Sequence, residues 1–232
     1  MADNIRYEVI DGVAVITLDD GKANAIGLDV ISALSQQLSR AEAEASSVLL
    51  VGRPGKFSAG YNLSEMMAGA DSAKRLVRAG GELMLRVFSF PLPVVAACTG
   101  HALAAGAILL LAADLRLGAE GDFKIGLNEV SLGMTPPMYL VELARHRLSK
   151  RWYTRAVTQG QIFNATQAAE VGYLDVALPG EQLLTTAQAE AARLGALPKT
   201  AFAEAKRRER AEISAALLAG LDQDIESFNL DR

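Results

Sequence analysis

An α/β fold is expected from three features of the chain. Short apolar runs alternate with helical patterns, two of those runs end in small-residue crossings, and the C-terminal part is helical throughout. Ser47-Val48-Leu49-Leu50-Val51-Gly52 and Pro93-Val94-Val95-Ala96-Ala97-Cys98 have the length and β-branched content of strands covered on both faces. A helical pattern follows each, which is the repeat that builds parallel sheets. With 232 residues, half of them hydrophobic, the chain is long enough for one full core. The simplest division is an α/β core over residues 1–190 and a helical lobe over 191–232, in the same domain or packed on a neighbouring subunit.

Taken in order, Tyr7-Glu8-Val9-Ile10 and Val13-Ala14-Val15-Ile16-Thr17-Leu18 flank Asp11-Gly12, a two-residue hairpin signal. A loop over 19–26 leads to a helix over 28–45, where Leu28, Ile31, Leu34 and Leu38 repeat at helical spacing. After the strand at 47–52, Arg53-Pro54-Gly55-Lys56 makes a turn and Phe57 begins a glycine-bearing loop. Helices are expected over 64–70 and 71–90, the second capped by Asp71 or Ser72, and Pro91 and Pro93 stop it before the strand to Cys98. Residues 104–112 are almost wholly apolar, so that helix must be buried on all sides. Strands at 114–117 and 122–125 come next, and Pro136-Pro137 opens a helix. Further helices are expected over 149–158, 164–171 with an Asn164 cap, 181–194 and from Pro198 onward, with an edge strand at 173–179.

Composition excludes several classes. A net charge of −4 leaves no footprint for nucleic acid or an anionic membrane. No apolar run reaches the roughly 18–20 residues of a membrane span, and Met1-Ala2-Asp3-Asn4-Ile5-Arg6 lacks the pattern of a secretory signal, so a cytoplasmic setting is expected. The single cysteine, Cys98, reads as a buried small hydrophobe. Lys206-Arg207-Arg208-Glu209-Arg210 is interleaved with acids on a helical pattern and reads as a solvated face. No histidine, cysteine and carboxylate cluster suggests a metal, and no Ser-His-Asp set can be placed by spacing. His146 is expected on an exposed helix surface, and Trp152 on a core-facing one.

The chemistry is carried by Phe57-Ser58-Ala59-Gly60-Tyr61-Asn62-Leu63, Gly100-His101-Ala102-Leu103-Ala104-Ala105-Gly106 and Glu129. At strand-to-loop and strand-to-helix crossings, N–H groups lack helical partners and small residues let a ligand approach the main chain. Two such crossings facing each other would form an oxyanion hole, and a carboxylate beside them would carry protons.

These stretches, with Ile125-Gly126-Leu127-Asn128-Glu129 at the following spacing, resemble the crotonase superfamily, also called the enoyl-CoA hydratase/isomerase family. The resemblance implies a spiral of ββα repeats with a C-terminal helical lobe, an acyl-CoA thioester substrate of fatty acid metabolism, and a homotrimer or dimer of trimers. No cofactor is implied beyond the coenzyme A of the substrate. The resemblance places the oxyanion donors at the main-chain N–H groups of Tyr61 and Ala105. The substrate and coenzyme A contacts it implies are Lys22, Ala23, Ala25, Ser58, Ala59, Gly60, Asn62, Leu63 and Ile108. His101 sits where relatives often carry an aromatic and is expected to pack. Asn62 replaces an aspartate found in many relatives, Ala104 and Ala105 replace glycines, and the short stretch after Phe228 implies a shortened last helix.

Hydratases of this family carry two glutamates, and the first of those positions is Ile108 here. One carboxylate suffices to move a double bond from C3 to C2, since the same group can take a proton at C2 and return it at C4. The string from Ile125 to Glu129, followed by Leu132-Gly133, also resembles the mitochondrial-type Δ3,Δ2-enoyl-CoA isomerases. Ile108, Val130, Leu132 and Met134 are expected to desolvate Glu129 and raise its pKa. A hydrolase, decarboxylase or weak hydratase on the same scaffold, or a non-catalytic subunit that binds coenzyme A esters, remains open.

Overall fold

The computed structural model describes residues 4–227, so Phe228 and the stretch after it lie outside the described residues, as do Met1 to Asp3. Strands β1 (Ile5–Ile10) and β2 (Val13–Leu18) form the expected hairpin, with Asp11 at φ 51° and Gly12 at φ 78°. Both turn residues take the positive φ that lets the turn follow the strand twist. After β3 (Ala25–Ile26) come α1 (Leu28–Glu44), β4 (Ser47–Val51), β5 (Gly55–Ser58) and β6 (Gly60–Tyr61). Helices α2 (Leu63–Met66) and α3 (Ala70–Phe88) lead to β7 (Val94–Cys98), β8 (Gly100–Leu103) and α4 (Ala105–Ala112). Strands β9 (Leu115–Ala119) and β10 (Ile125–Gly126) precede α5 (Met138–Arg147), α6 (Tyr153–Val157), α7 (Ala165–Val171), β11 (Val176–Leu178), α8 (Gly180–Gly195) and α9 (Lys199–Ser227).

A six-stranded sheet runs β1-β2-β4-β7-β9-β11, antiparallel only in the hairpin. A second sheet, β10-β8-β5, and the pair β3-β6 are parallel and carry the crossings. Side chains alternate across the large sheet, as the strand period requires. Ala14, Ile16, Val48, Leu50, Val94 and Ala96 join a core with α1, α3 and α4, whereas Val15, Leu49, Val51, Val95 and Leu117 meet Leu183, Ala187 and Ala191 of α8 on the other face. Cys98 is buried, and burial pushes its thiol up to about 12. All eight residues of α4 are buried. No helix among the described residues is long and apolar enough to cross a membrane.

Several expectations are corrected. The expected division at 190/191 falls inside α8, which lies on the large sheet, so the separate helical element begins with α9, packed on α3 and α5 of its own chain. Gly69, not Asp71 or Ser72, precedes α3, because the helix begins one residue before Asp71. The strand expected at 122–125 is reduced to Ile125–Gly126, since the Lys124 N–H is taken by the His101 side chain. Residues 149–152 form a turn rather than regular helix, and Trp152 stands half-buried at the start of α6, with the guanidinium groups of Arg151 and Arg155 over its ring.

The basic cluster of α9 is a solvated face only at Arg207, Arg208 and Glu209. Lys206 and Arg210, one helical turn apart, are each 6 % exposed and converge on Asp114, between α4 and β9. Lys206 Nζ lies 2.7 Å from one carboxylate oxygen and Arg210 Nη2 lies 2.8 Å from the other. The Val94 N–H donates to the same carboxylate at 2.7 Å. Burial pulls the Lys206 pKa down to about 8 despite Asp114. Interleaved charge reads as solvation only when no buried partner waits opposite, and that partner lies 92 residues from Lys206 in sequence.

Candidate active site

The two crossings lie side by side because β5 and β8 are parallel neighbours, with Lys56 opposite His101 and Ser58 opposite Ala102. Beyond their ends the loops nearly touch. A Cβ on Gly60 would stand 2.9 Å from the Ala104 Cβ, 3.0 Å from the Leu103 carbonyl oxygen and 3.4 Å from the Ala105 nitrogen, and Gly60 has φ +99°. A Cβ on Gly106 would stand 2.4 Å from the Ser58 carbonyl oxygen. Both glycines are therefore dictated by the approach of the two backbones.

Each proposed donor has an unclaimed direction to point in. Ala105 opens α4, so its N–H has no carbonyl four residues earlier in the helix. In β6, Asn62 N–H donates to Ile26 O at 3.0 Å, and successive N–H groups alternate sides along a strand, which turns the Tyr61 N–H away from β3. Ala104, between β8 and α4, is held at φ 50°, ψ −125°, a conformation suited to glycine and strained for alanine. Ala104→Gly is therefore expected to raise stability by about 1 kcal/mol, the relieved strain exceeding the added freedom of the unfolded chain. Denaturant midpoints would detect it, and a loss of stability would show that the strain is absent.

Ser58 and Asn62 act on the loop itself. The buried Ser58 hydroxyl donates to Asn24 O at 2.7 Å and accepts from Gly60 N–H at 3.2 Å. Asn62 caps α2 by accepting from the Ser64 and Glu65 N–H groups, a task its amide oxygen performs without a negative charge. Asn24, which sequence reasoning missed, is buried and donates to the carbonyls of Leu18, Lys56 and Phe57. Its signal was a polar residue between two small ones in a loop, since asparagine tolerates the φ of 52° found there.

Glu129 follows β10 at the start of a short 3-10 helix, Val130–Leu132. It is 6 % exposed, and burial pushes its pKa up to about 7. Its Oε2 is buried with no hydrogen-bond partner among the described residues. Val130, Leu132 and Met134 do not supply the desolvation, because all three side chains are exposed; the 3-10 turn directs them outward while Glu129 faces in. The groups that feel its charge are the buried hydroxyls of Tyr61, Tyr139 and Tyr173, each raised by burial and further by Glu129. Ile108, one turn into α4, is fully buried.

A pocket of about 260 Å³ adjoins the crossings, lined by Ala23, Lys56, Ala59, His101, Leu103 and Lys124. Ala23 and Ala59 were expected there, whereas Lys56, Leu103 and Lys124 emerge only once β5, β8 and β10 are paired. His101 both packs and lines the pocket. Its ring meets Phe123 edge-on at 5.5 Å, and its Nδ1 accepts from Lys124 N–H at 2.9 Å, while burial and the lysines hold its pKa below the ordinary value. Lys22 is exposed outside this lining, its carbonyl accepting from Arg53 at 2.7 Å. Ala25 pairs with Gly60 in the β3-β6 ladder, and the Leu63 side chain is exposed on α2.

The model of the Enoyl-CoA hydratase/isomerase family matches residues 8–230. Human mitochondrial enoyl-CoA delta isomerase 1 is 31% identical over 222 residues, covering 94% of this chain and 74% of that protein. A probable enoyl-CoA hydratase of Bacillus subtilis is 30% identical over 194 residues, covering 82% and 75%. The crystal structure of an enoyl-CoA hydratase/isomerase family protein from Pseudomonas syringae superposes with a TM-score of 0.96 at 41% identity, covering 98% of this chain and 99% of that one. Paired crossings, a buried glutamate and these likenesses converge: the chain belongs to the enoyl-CoA hydratase/isomerase family, the crotonase superfamily.

Proposed function

We propose that the protein converts 3-enoyl-CoA to 2-enoyl-CoA. The observation that carries this reading is the buried carboxyl of Glu129, its pKa pushed up to about 7, with the fully buried, apolar Ile108 where a hydratase would carry its other acid. The thioester oxygen accepts from the Tyr61 and Ala105 N–H groups. Glu129 takes a proton from C2, the double bond moves from C3–C4 to C2–C3 through a dienolate, and Glu129 returns the proton at C4. The amides oppose the charge that develops on oxygen, and each such donor is typically worth about 3–4 kcal/mol of barrier. The pocket beside Ala59 and Leu103 takes the coenzyme A arm, with Lys56, Lys124 and the exposed Lys22, next in sequence to the lining residue Ala23, toward its phosphates; no other cofactor is needed.

Hydration is the second reading, favoured by the likeness to the Bacillus subtilis probable hydratase. Separate incubations with 3-enoyl-CoA and 2-enoyl-CoA, following conjugated-thioester absorbance and free thiol, distinguish the two. Conjugation appearing from the 3-enoyl substrate supports isomerisation. Water addition without migration of the double bond supports hydration, thiol release a hydrolase, and binding without turnover a non-catalytic subunit. Assembly as a trimer or dimer of trimers belongs to the same proposal, supported by the exposed Leu63, Met67 and Leu132, and mass measurement in solution tests it. A cytoplasmic setting is supported by the single, buried, unpaired cysteine.

A further inference from the structure

The Tyr61 side chain takes no part in the chemistry above, yet several elements are shaped around it. Its ring lies in a notch in the middle of α3, where a Cβ on Gly80 would fall 2.0 Å from the Tyr61 hydroxyl and 2.5 Å from two ring carbons. Glycine weakens a helix interior, so this notch is retained at the expense of α3. The adjacent Gly81 makes the same room for Leu221 of α9, at 2.7 Å. Across from Gly80, the Tyr61 hydroxyl lies 2.7 Å from the hydroxyl of Tyr139, in the first turn of α5. The N–H groups of Met138 and Tyr139 donate to the Asp224 carboxylate of α9 at 2.7 and 3.4 Å. Tyr61 is thus gripped at its hydroxyl by α5 and at its main chain by the bond from Asn62 N–H to Ile26 O. The Tyr61 N–H, attached to the same Cα that these two grips hold, is the one offered to the thioester.

We propose that Tyr139 is a positioning residue: its hydroxyl, bonded to that of Tyr61, sets the aim of the Tyr61 amide at the substrate carbonyl, with α9 holding α5 in place through Asp224. This rests on the reading of Tyr61 as an oxyanion donor. A donor misaimed by a fraction of an ångström still binds the ground-state carbonyl but loses most where charge develops, so the effect falls on kcat rather than KM.

Tyr139→Phe removes the bond without changing the shape of the ring, and Tyr61→Phe removes it from the other side. Each is expected to lower kcat about five- to tenfold, the scale of one neutral hydrogen bond, with KM within about twofold. The double variant should fall no further than either single one, because both delete the same bond. Tyr153→Phe, whose hydroxyl donates to Val141 O at 3.3 Å, serves as the control within the same helical region and should leave kcat unchanged. The infrared carbonyl stretch of bound, unreactive butyryl-CoA reads the hydrogen bonds directly and needs no turnover. Tyr139→Phe should move it toward the frequency of free butyryl-CoA. An unchanged stretch and kcat with only a lower melting temperature, or additive losses in the double variant, would overturn the positioning role. A wild-type protein that leaves the stretch at its free value would overturn the donor assignment as well, whereas a shifted stretch without 3-enoyl-CoA turnover would sink the isomerase reading alone.

Discussion

Glu129→Gln is expected to lower turnover of 3-enoyl-CoA by about a thousandfold while making the protein more stable at pH 8. Glutamine keeps the size and removes the group that moves the proton. The stability gain follows from linkage. The folded-state pKa of about 7 lies above the ordinary 4.5, so the folded chain binds this proton more tightly than the unfolded one. That contribution is fully present below pH 4.5, declines as pH rises and is gone above pH 7, where the buried carboxylate carries its whole penalty. That displacement corresponds to about 3 kcal/mol at pH 8, and the variant, which never ionises, escapes it. Denaturation midpoints of the two proteins should therefore diverge between pH 4.5 and 7, with Glu129→Gln ahead at the upper end. In the wild type, kcat/KM should rise tenfold per pH unit up to about pH 7 and then level off. Undiminished turnover in the variant would remove Glu129 as the proton carrier.

Asp114→Asn is expected to destabilise the fold by about 3–5 kcal/mol, because it strands Lys206 and Arg210 as buried cations. For a domain of this size that lowers the melting temperature by on the order of 10 °C. The loss should depend on pH in a defined direction. Lys206 holds its proton less tightly in the fold, at about 8, than in the unfolded chain, at 10.5, so the unfolded chain binds more protons across that window and stability rises with pH. Without Asp114 the window widens downward, and the variant should regain part of its deficit as pH rises to about 8. Lys206→Met in the same background should recover stability at pH 7 by removing one stranded charge. A deficit of less than about 1 kcal/mol at pH 7 would mean that water reaches the cluster.

What could be read from the residues followed distance along the chain. The hairpin at Asp11-Gly12, the strands ending at Val51 and Cys98 and the apolar α4 depend on local pattern and turn chemistry, and the structure places them within a residue or two. The site was legible where backbone determined it: Gly60 and Gly106 are required by close approach, and Glu129 is buried with a raised pKa, as expected. The expected source of that burial was wrong, because whether Val130 or Tyr139 faces the carboxyl depends on a 3-10 turn and on a helix ten residues further on. Lys56 and Lys124 became pocket residues only through strand pairing, and the buried pairing of Lys206 with Asp114 only through the docking of α9. Long-range partners such as these leave no mark on a local period.

The large sheet keeps two cores apart, and only the one holding α4 supports the strained and desolvated groups described above. The layer beneath α8, built from Val15, Leu49, Val95, Leu183 and their neighbours, carries none of them. Evolution and engineering can therefore repack that insulated layer to restore robustness lost at the reaction centre. Sequence drift within the family should accordingly run freer beneath α8 than around Gly60 and Gly80, where a single methyl group has nowhere to go.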